Sequence, residues 1–300
     1  PYYLSGLWAD PSRASRIEEM LSEDKKYTMK DMKSIQLDLT SNFSKEILPH
    51  ILNNMGNNES VAHIRAMRFL EEWDHVESIN SEAALLFHSI TNEIIKNIYY
   101  DEFSLIGENY FQTFVGLKYI TKRSLRSILK GNASSWIDDL TTNNKIETLN
   151  EIIKRSAVIG VDNIIETYGP NWSNWKWGKA HSLTHKHLLG GNKYLNYLFS
   201  LNVGPYLSGG SDVTPNAGGY SLTKGFKQTS GASMRRIVDF SDLNNTQMII
   251  PTGQSGLHDS PHYADQAFLY HSGQYRNTSF EENYIKNSGR FKHLELYPLK

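Results

Sequence analysis

"WKWGKAHSLTHKH", Trp175 to His187, is where the periodicity of the chain changes. Upstream, apolar residues recur every three or four positions, whereas "HSLTHKH" alternates with the period of a strand. In "SVAHIRAMRFLEEW" the repeat is Val61, Ile64, Met67, Leu70 and Trp73, and "KIETLNEIIKRSAVIGVDNII" carries a stripe through Ile146, Leu149, Ile153 and Val161. "SEAALLFHSITNEIIKNIYY" predicts a further helix, and Thr28 followed by Asp31 reads as a capping pair for a helix through "MKDMKSIQL". Downstream, "SMRRIVDFSD" and "TQMIIP" are short β-prone runs, linked by the turn-rich "SGGSDVTPNAGGY" and "PTGQSG". Glycine follows the same division, with seven of 21 in residues 1–170 and fourteen in the last 130. The expected class is α+β: a mainly helical section over 1–170 and a β-rich section over 171–300, in one continuous body.

At 300 residues the chain can bury a sizeable core, and a formal charge of −1 offers no basic tract to follow a phosphate backbone. Nucleic acid is not an expected partner. No apolar run reaches the length of a membrane span, and "PYYLSGLWAD" has no signal-peptide character. The absence of cysteine removes disulfides, thiolate metal sites and a cysteine nucleophile, but leaves the compartment open. Pro1, with no initiator methionine before it, reads as an internal position of a longer chain.

Several constellations could carry chemistry. His181, His185 and His187 are spaced to share one face of a strand, as metal-binding strands arrange them, although no second cluster completes a ligand set. Hydrogen-bonded strand histidines are the preferred reading. Trp175 and Trp177 read as core anchors. "GQSG" around Ser255, with His258 or His262 as base, lacks the final glycine of a nucleophile elbow, where Leu257 stands instead. It reads as a turn with two glycines at unusual backbone angles. Asp259, His262, Asp265 and Gln266 follow Ser260-Pro261, which suggests a helix start with capping roles. Glu71, Glu72, Asp74 and Glu77 read as a solvated face and not as a calcium loop. These pieces alone make no self-sufficient active site.

Five stretches taken in order carry a resemblance: "PYYLSGLWADPSRASRI", "WKWGKAH" with "THKHLLG", "GGSDVTPNAGGY", "GASMRRIVDFSD" and "PTGQSGLHDSPHYADQAFLY". Together they resemble the C-terminal part of the large β subunit of penicillin amidase (penicillin acylase) family enzymes, which are N-terminal nucleophile hydrolases. The resemblance implies the C-terminal portion of a four-layer αββα body. It also implies an N-acyl substrate, cleaved at its amide through an acyl-enzyme on a serine that begins the β subunit. That serine and the oxyanion-holding asparagine would lie upstream of Pro1, so the chain alone should be inactive. Its obligate partner would be the upstream polypeptide of the same precursor, comprising the α subunit and the N-terminal part of β.

One catalytic-network position carries over by resemblance. In "WADPSRASRI" Arg13 aligns with an arginine near the family's active centre, with Arg16 as the rival, and its role would be supporting. The family also binds calcium near the subunit junction, mostly through upstream ligands, and the one aspartate ligand that precedes the arginine aligns near Tyr2 here. The chain itself is expected to hold no cofactor, and the resemblance allows calcium in the full enzyme. The competing class is a non-enzymatic, aromatic-rich sugar-binding module, which would expose a row of rings from the 17 Tyr and 6 Trp.

Overall fold

The structure is a computed structural model that describes residues 2, 6, 8–55, 60–132, 134–289, 292 and 294–298. Its contacts divide the chain into two compact units. The first comprises Pro1–Asp24, Leu37–Thr184 and Gly204–Gly231, and the second Lys25–Gln36, His185–Val203 and Ala232–Lys300.

The first unit holds helices α1 (Ser12–Leu21), α3 (Asn42–Leu52), α4 (Val61–Glu71), α5 (Glu82–Ile106), α6 (Glu108–Gly116), α7 (Lys118–Leu129), α8 (Leu149–Tyr168) and α9 (Trp177–Ala180). Its sheet orders β2 (Val203–Leu207), β1 (Ser182–His185), β4 (Gln228–Gly231) and β3 (Gly218–Tyr220), with β1 parallel and β3 antiparallel to β4. The second unit contains α2 (Met29–Leu37), α10 (Lys193–Phe199), α11 (Ala267–His271), α12 (Glu282–Asn287) and the antiparallel strands β5 (Arg235–Ile237), β6 (Thr246–Ile249) and β7 (Arg276–Thr278). Helices dominate before residue 170 and every described strand lies after it, so the α+β class holds.

Local chemistry sets the helix ends. Ser81 accepts from the Ala84 N–H to start α5, which stops at Gly107 (φ 131°). Thr148 and Glu151 form a reciprocal capping box at α8. The expected Thr28–Asp31 pair is present, with Asp31 N–H donating to Thr28 Oγ1 and Thr28 N–H to the Asp31 carboxylate. Helices α5 and α8 pack along their length, and Ile90, Ile94, Ile152, Ile153 and Val161 are buried between them and their neighbours.

Two expected helical features need correction. Along α4 the buried residues are His63, Ala66 and Leu70, while Val61 and Ile64 are exposed. A period of three falls behind the helical 3.6, so a five-member stripe swings round the helix, about 60° per step, and cannot all face inward. Ser260-Pro261 does not open a helix either. Turns run on to residue 266, and α11 begins at Ala267.

Candidate functional site

The first turn of α1 is fixed by charge. Arg126 of α7 donates from Nη1 to Asp10 (2.6 Å), from Nε to Glu46 (2.7 Å) and from Nη2 to Ser12 Oγ (3.0 Å), while Asp10 accepts from the Ser12 N–H (2.9 Å). Burial raises the Asp10 carboxyl, but the bonds from Arg126 and Ser12 outweigh it and hold the pKa below its ordinary value. Asp10 therefore stays ionised and clamps the helix start. Arg16 pairs bidentately with Asp38 (3.0 and 3.1 Å) and reaches Glu19 (3.3 Å), which commits it to structure. Arg13 is exposed and makes no hydrogen bond or ion pair with any described residue. Its guanidinium is unpaired among the described residues, while its backbone sits on an anchored turn.

The three histidines of the opening stretch take separate partners. His181 is fully buried, stacked on Trp177 (4.6 Å, 7°), with Nδ1 donating to the Phe226 carbonyl (2.7 Å). His185 and His271 face one another at Nε2 (3.1 Å), and His187 Nδ1 accepts the Leu189 N–H to cap a turn. Among the described residues, no group of three or more metal-ligating side chains is placed to hold an ion. Tyr2, near where the resemblance would place a calcium ligand, offers no carboxylate. The described residues assemble no calcium ligand set, and no step below passes through one.

Burial lowers the His181 pKa from 6.5 to about 4, with the carbonyl of Phe226 working against it. The folded ring is neutral near pH 7, and below pH 6.5 the unfolded ring takes up its proton first. Its contribution to stability is therefore complete above pH 6.5 and lost as pH falls to about 4. The loss amounts to something on the order of 3 kcal/mol. Urea denaturation from pH 7 down to pH 5 should show His181→Gln with a shallower fall in stability than the parent; parallel curves would remove His181 as the cause.

Beside His181 lies a buried polar chain that the sequence reading missed. Glu77, read as part of a solvated face, is fully buried, while Glu71, Glu72 and Asp74 are exposed. Its Oε1 lies 3.3 Å from His88 Nε2, an ion-pair distance without hydrogen-bond geometry. His88 Nδ1 meets the Tyr220 hydroxyl (3.1 Å), and Tyr220 donates to Asn92 Oδ1 (3.1 Å). Burial, reinforced by Asp212 and Glu77, pushes the Tyr220 phenol well above its ordinary pKa, so it remains a donor. Trp177, which lies between His88 and His181, is closed to any ligand, as is the fully buried Trp175.

Ser255 does not gain a base. Its Oγ accepts from the Leu257 N–H (3.1 Å), its own N–H donates to the His262 carbonyl, and His258 packs on Phe199 (5.1 Å). His262 Nδ1 pairs instead with Asp265 (3.1 Å), which also accepts from Arg276 (3.1 Å). The glycines were expected for unusual backbone angles, but neither Gly253 nor Gly256 has a positive φ. Gly253 is needed because a Cβ there would lie 2.0 Å from the His262 carbonyl oxygen.

The chain is 28% identical to an acyl-homoserine lactone acylase QuiP of Pseudomonas syringae pv. tomato, over 99% of this chain and 37% of that protein. It is 26% identical to the QuiP of Pseudomonas aeruginosa, over 99% and 38%. A thermostable penicillin G acylase from Alcaligenes faecalis matches in fold with a TM-score of 0.55 at 15% identity, over 100% of this chain and 54% of that one. The chain thus spans little more than a third of the curated relatives it matches. The sequence profile for penicillin amidase covers residues 1–287, nearly the whole length. By that match the chain belongs to the penicillin amidase family.

Proposed function

We propose that this chain is the C-terminal portion of an amide-cleaving acylase and that it contributes Arg13 to the active centre. The family match over residues 1–287 carries the reading. In this reading an upstream N-terminal serine attacks the amide carbonyl of an N-acyl substrate. Its α-amine, with an ordinary pKa of about 8, takes the hydroxyl proton and passes it to the departing amine. A backbone N–H and an upstream asparagine hold the oxyanion, and water then releases the acid from the acyl-enzyme. Arg13 acts as a positioning residue: its guanidinium, unpaired among the described residues and carried on a helix start clamped by Arg126 and Asp10, orients the asparagine and the nucleophile's amine.

The partner in this reading is the upstream polypeptide of the same precursor. Helix α10 buries none of its own residues, and Leu188, Tyr194, Tyr197 and Leu198 offer it an apolar surface. The acylases this chain resembles direct the first assays to acyl-homoserine lactones and penicillin-type amides.

The test is to express the longest reading frame that contains this chain, sequence the processed N-termini and measure acid release. The expected product is a chain beginning with Ser, Thr or Cys that runs through Pro1. Arg13→Lys should lower kcat by about a hundredfold with a smaller change in KM, because misplacing a positioned group costs the chemical step more than binding. An Arg13→Lys enzyme with parental kcat would remove Arg13 from the mechanism. A native chain that starts at Pro1 without a companion polypeptide would sink the acylase reading itself.

A further inference from the structure

In the first unit a cavity of about 380 Å³ opens beside α5, α8 and the turn over residues 221–227. It is within the size range of small-molecule sites. Its polar floor is set by Asn92, whose Oδ1 is engaged by the Tyr220 hydroxyl (3.1 Å). Tyr220 is held in turn by His88, which lies against the buried Glu77. The amide is therefore fixed in orientation, and its N–H groups have no partner among the described residues. Asn92 lines the cavity, so its amide has two donors to offer a ligand there.

The charge around the cavity has one sign in excess. Lys179, Lys224 and Lys227 line it, against the single carboxylate of Glu93. Glu93 already accepts from Asn163 Nδ2 (3.1 Å), and Lys179 has only a long contact with Asn174 (3.4 Å). The ammonium groups of Lys224 and Lys227 make no ion pair or hydrogen bond with described residues. Leu222, Phe226 and Ile164 supply an apolar wall. Unsatisfied donors and spare positive charge beside apolar side chains call for an anion that carries a hydrocarbon group.

We propose that this cavity binds an organic carboxylate with an apolar chain, the carboxylate meeting the Asn92 amide and the lysines and the chain lying on Phe226 and Leu222. The inference does not rest on the acylase reading, and its test measures binding alone. Titration calorimetry of the purified protein with sodium octanoate should give a saturable single site, with acetate and 1-octanol each at least about tenfold weaker. The double variant Lys224→Glu/Lys227→Glu, confined to exposed side chains, should weaken octanoate by about tenfold or more and retain the parental circular dichroism. Tyr220→Phe should weaken it while leaving every cavity-lining side chain in place, because Asn92 loses its anchor. Octanoate that fails to saturate, acetate that binds as tightly, or a charge-reversed variant with unchanged affinity would each overturn the proposal.

Discussion

Trp177→Ala is expected to remove about 3–5 kcal/mol of folding stability, the range for deleting a large buried aromatic. The side chain is fully buried, with His88 stacked on it at 4.3 Å and 17° and His181 at 4.6 Å and 7°. Tyr220 and Phe226 close the edges at 5.9 and 5.7 Å. Its indole N–H donates to the Gly210 carbonyl (3.0 Å), so the alanine leaves both a void and an unpaired buried acceptor. The loss should also loosen His88 and therefore the Tyr220–Asn92 bond. Trp177→Phe separates the two terms, since it keeps an aromatic surface and loses only the donor and part of the volume; about 1–2 kcal/mol is expected. Urea denaturation measures both, and an alanine variant within 1 kcal/mol of the parent would show that the stack around Trp177 contributes little.

How far the fold could be read beforehand depended on whether local or distant residues set it. The α+β division was visible because periodicity is local, and the Thr28–Asp31 cap was visible because both partners lie within one turn. Trp175 and Trp177 could be taken for core anchors from their size and apolarity alone, and both are fully buried. Glu77 could not be recognised. Its burial follows from the His88 side chain and from backbone bonds with Leu39 and Gly210, which only the tertiary fold brings to it.

The candidate site was legible to a smaller degree. Arg13 was singled out by family resemblance, and nothing in its immediate neighbours predicts the clamp that fixes it, because Arg126 comes from a helix 116 positions beyond Asp10. Arg13, unpaired among the described residues, and the engaged Arg16 look alike in sequence, three residues apart. What separates them is Asp38, which takes Arg16 bidentately. The Asn92 cavity had no sequence signal at all, since an asparagine and three lysines spread over residues 92–227 acquire meaning only when α5, α8 and the 221–227 turn converge.

Gly160→Leu should prevent the parental fold from forming, and Gly160→Ala should already be destabilising by about 1–3 kcal/mol. Propensity argues the other way, because alanine in place of a mid-helix glycine favours the helix by about 1 kcal/mol. Packing decides the sign. A Cβ on Gly160 would stand 2.9 Å from Ile90 Cα and 3.0 Å from Ile90 N, and backbone atoms in the middle of α5 cannot swing aside as a side-chain tip could. The two helices would have to separate, which also stretches the Ser89 Oγ to Gly160 carbonyl bond (2.8 Å) and the Asn97–Ser156 bond (2.9 Å) that tie them. Thermal denaturation followed at 222 nm distinguishes the outcomes: a lower Tm for Gly160→Ala means that close approach governs this crossing, and a higher Tm means that α5 and α8 have slack there and propensity wins. Because α5 carries Asn92 and α8 carries Asn163 and Ile164, the same separation would widen the cavity between them. Weaker octanoate binding in Gly160→Ala at temperatures where it remains folded is therefore the expected companion result.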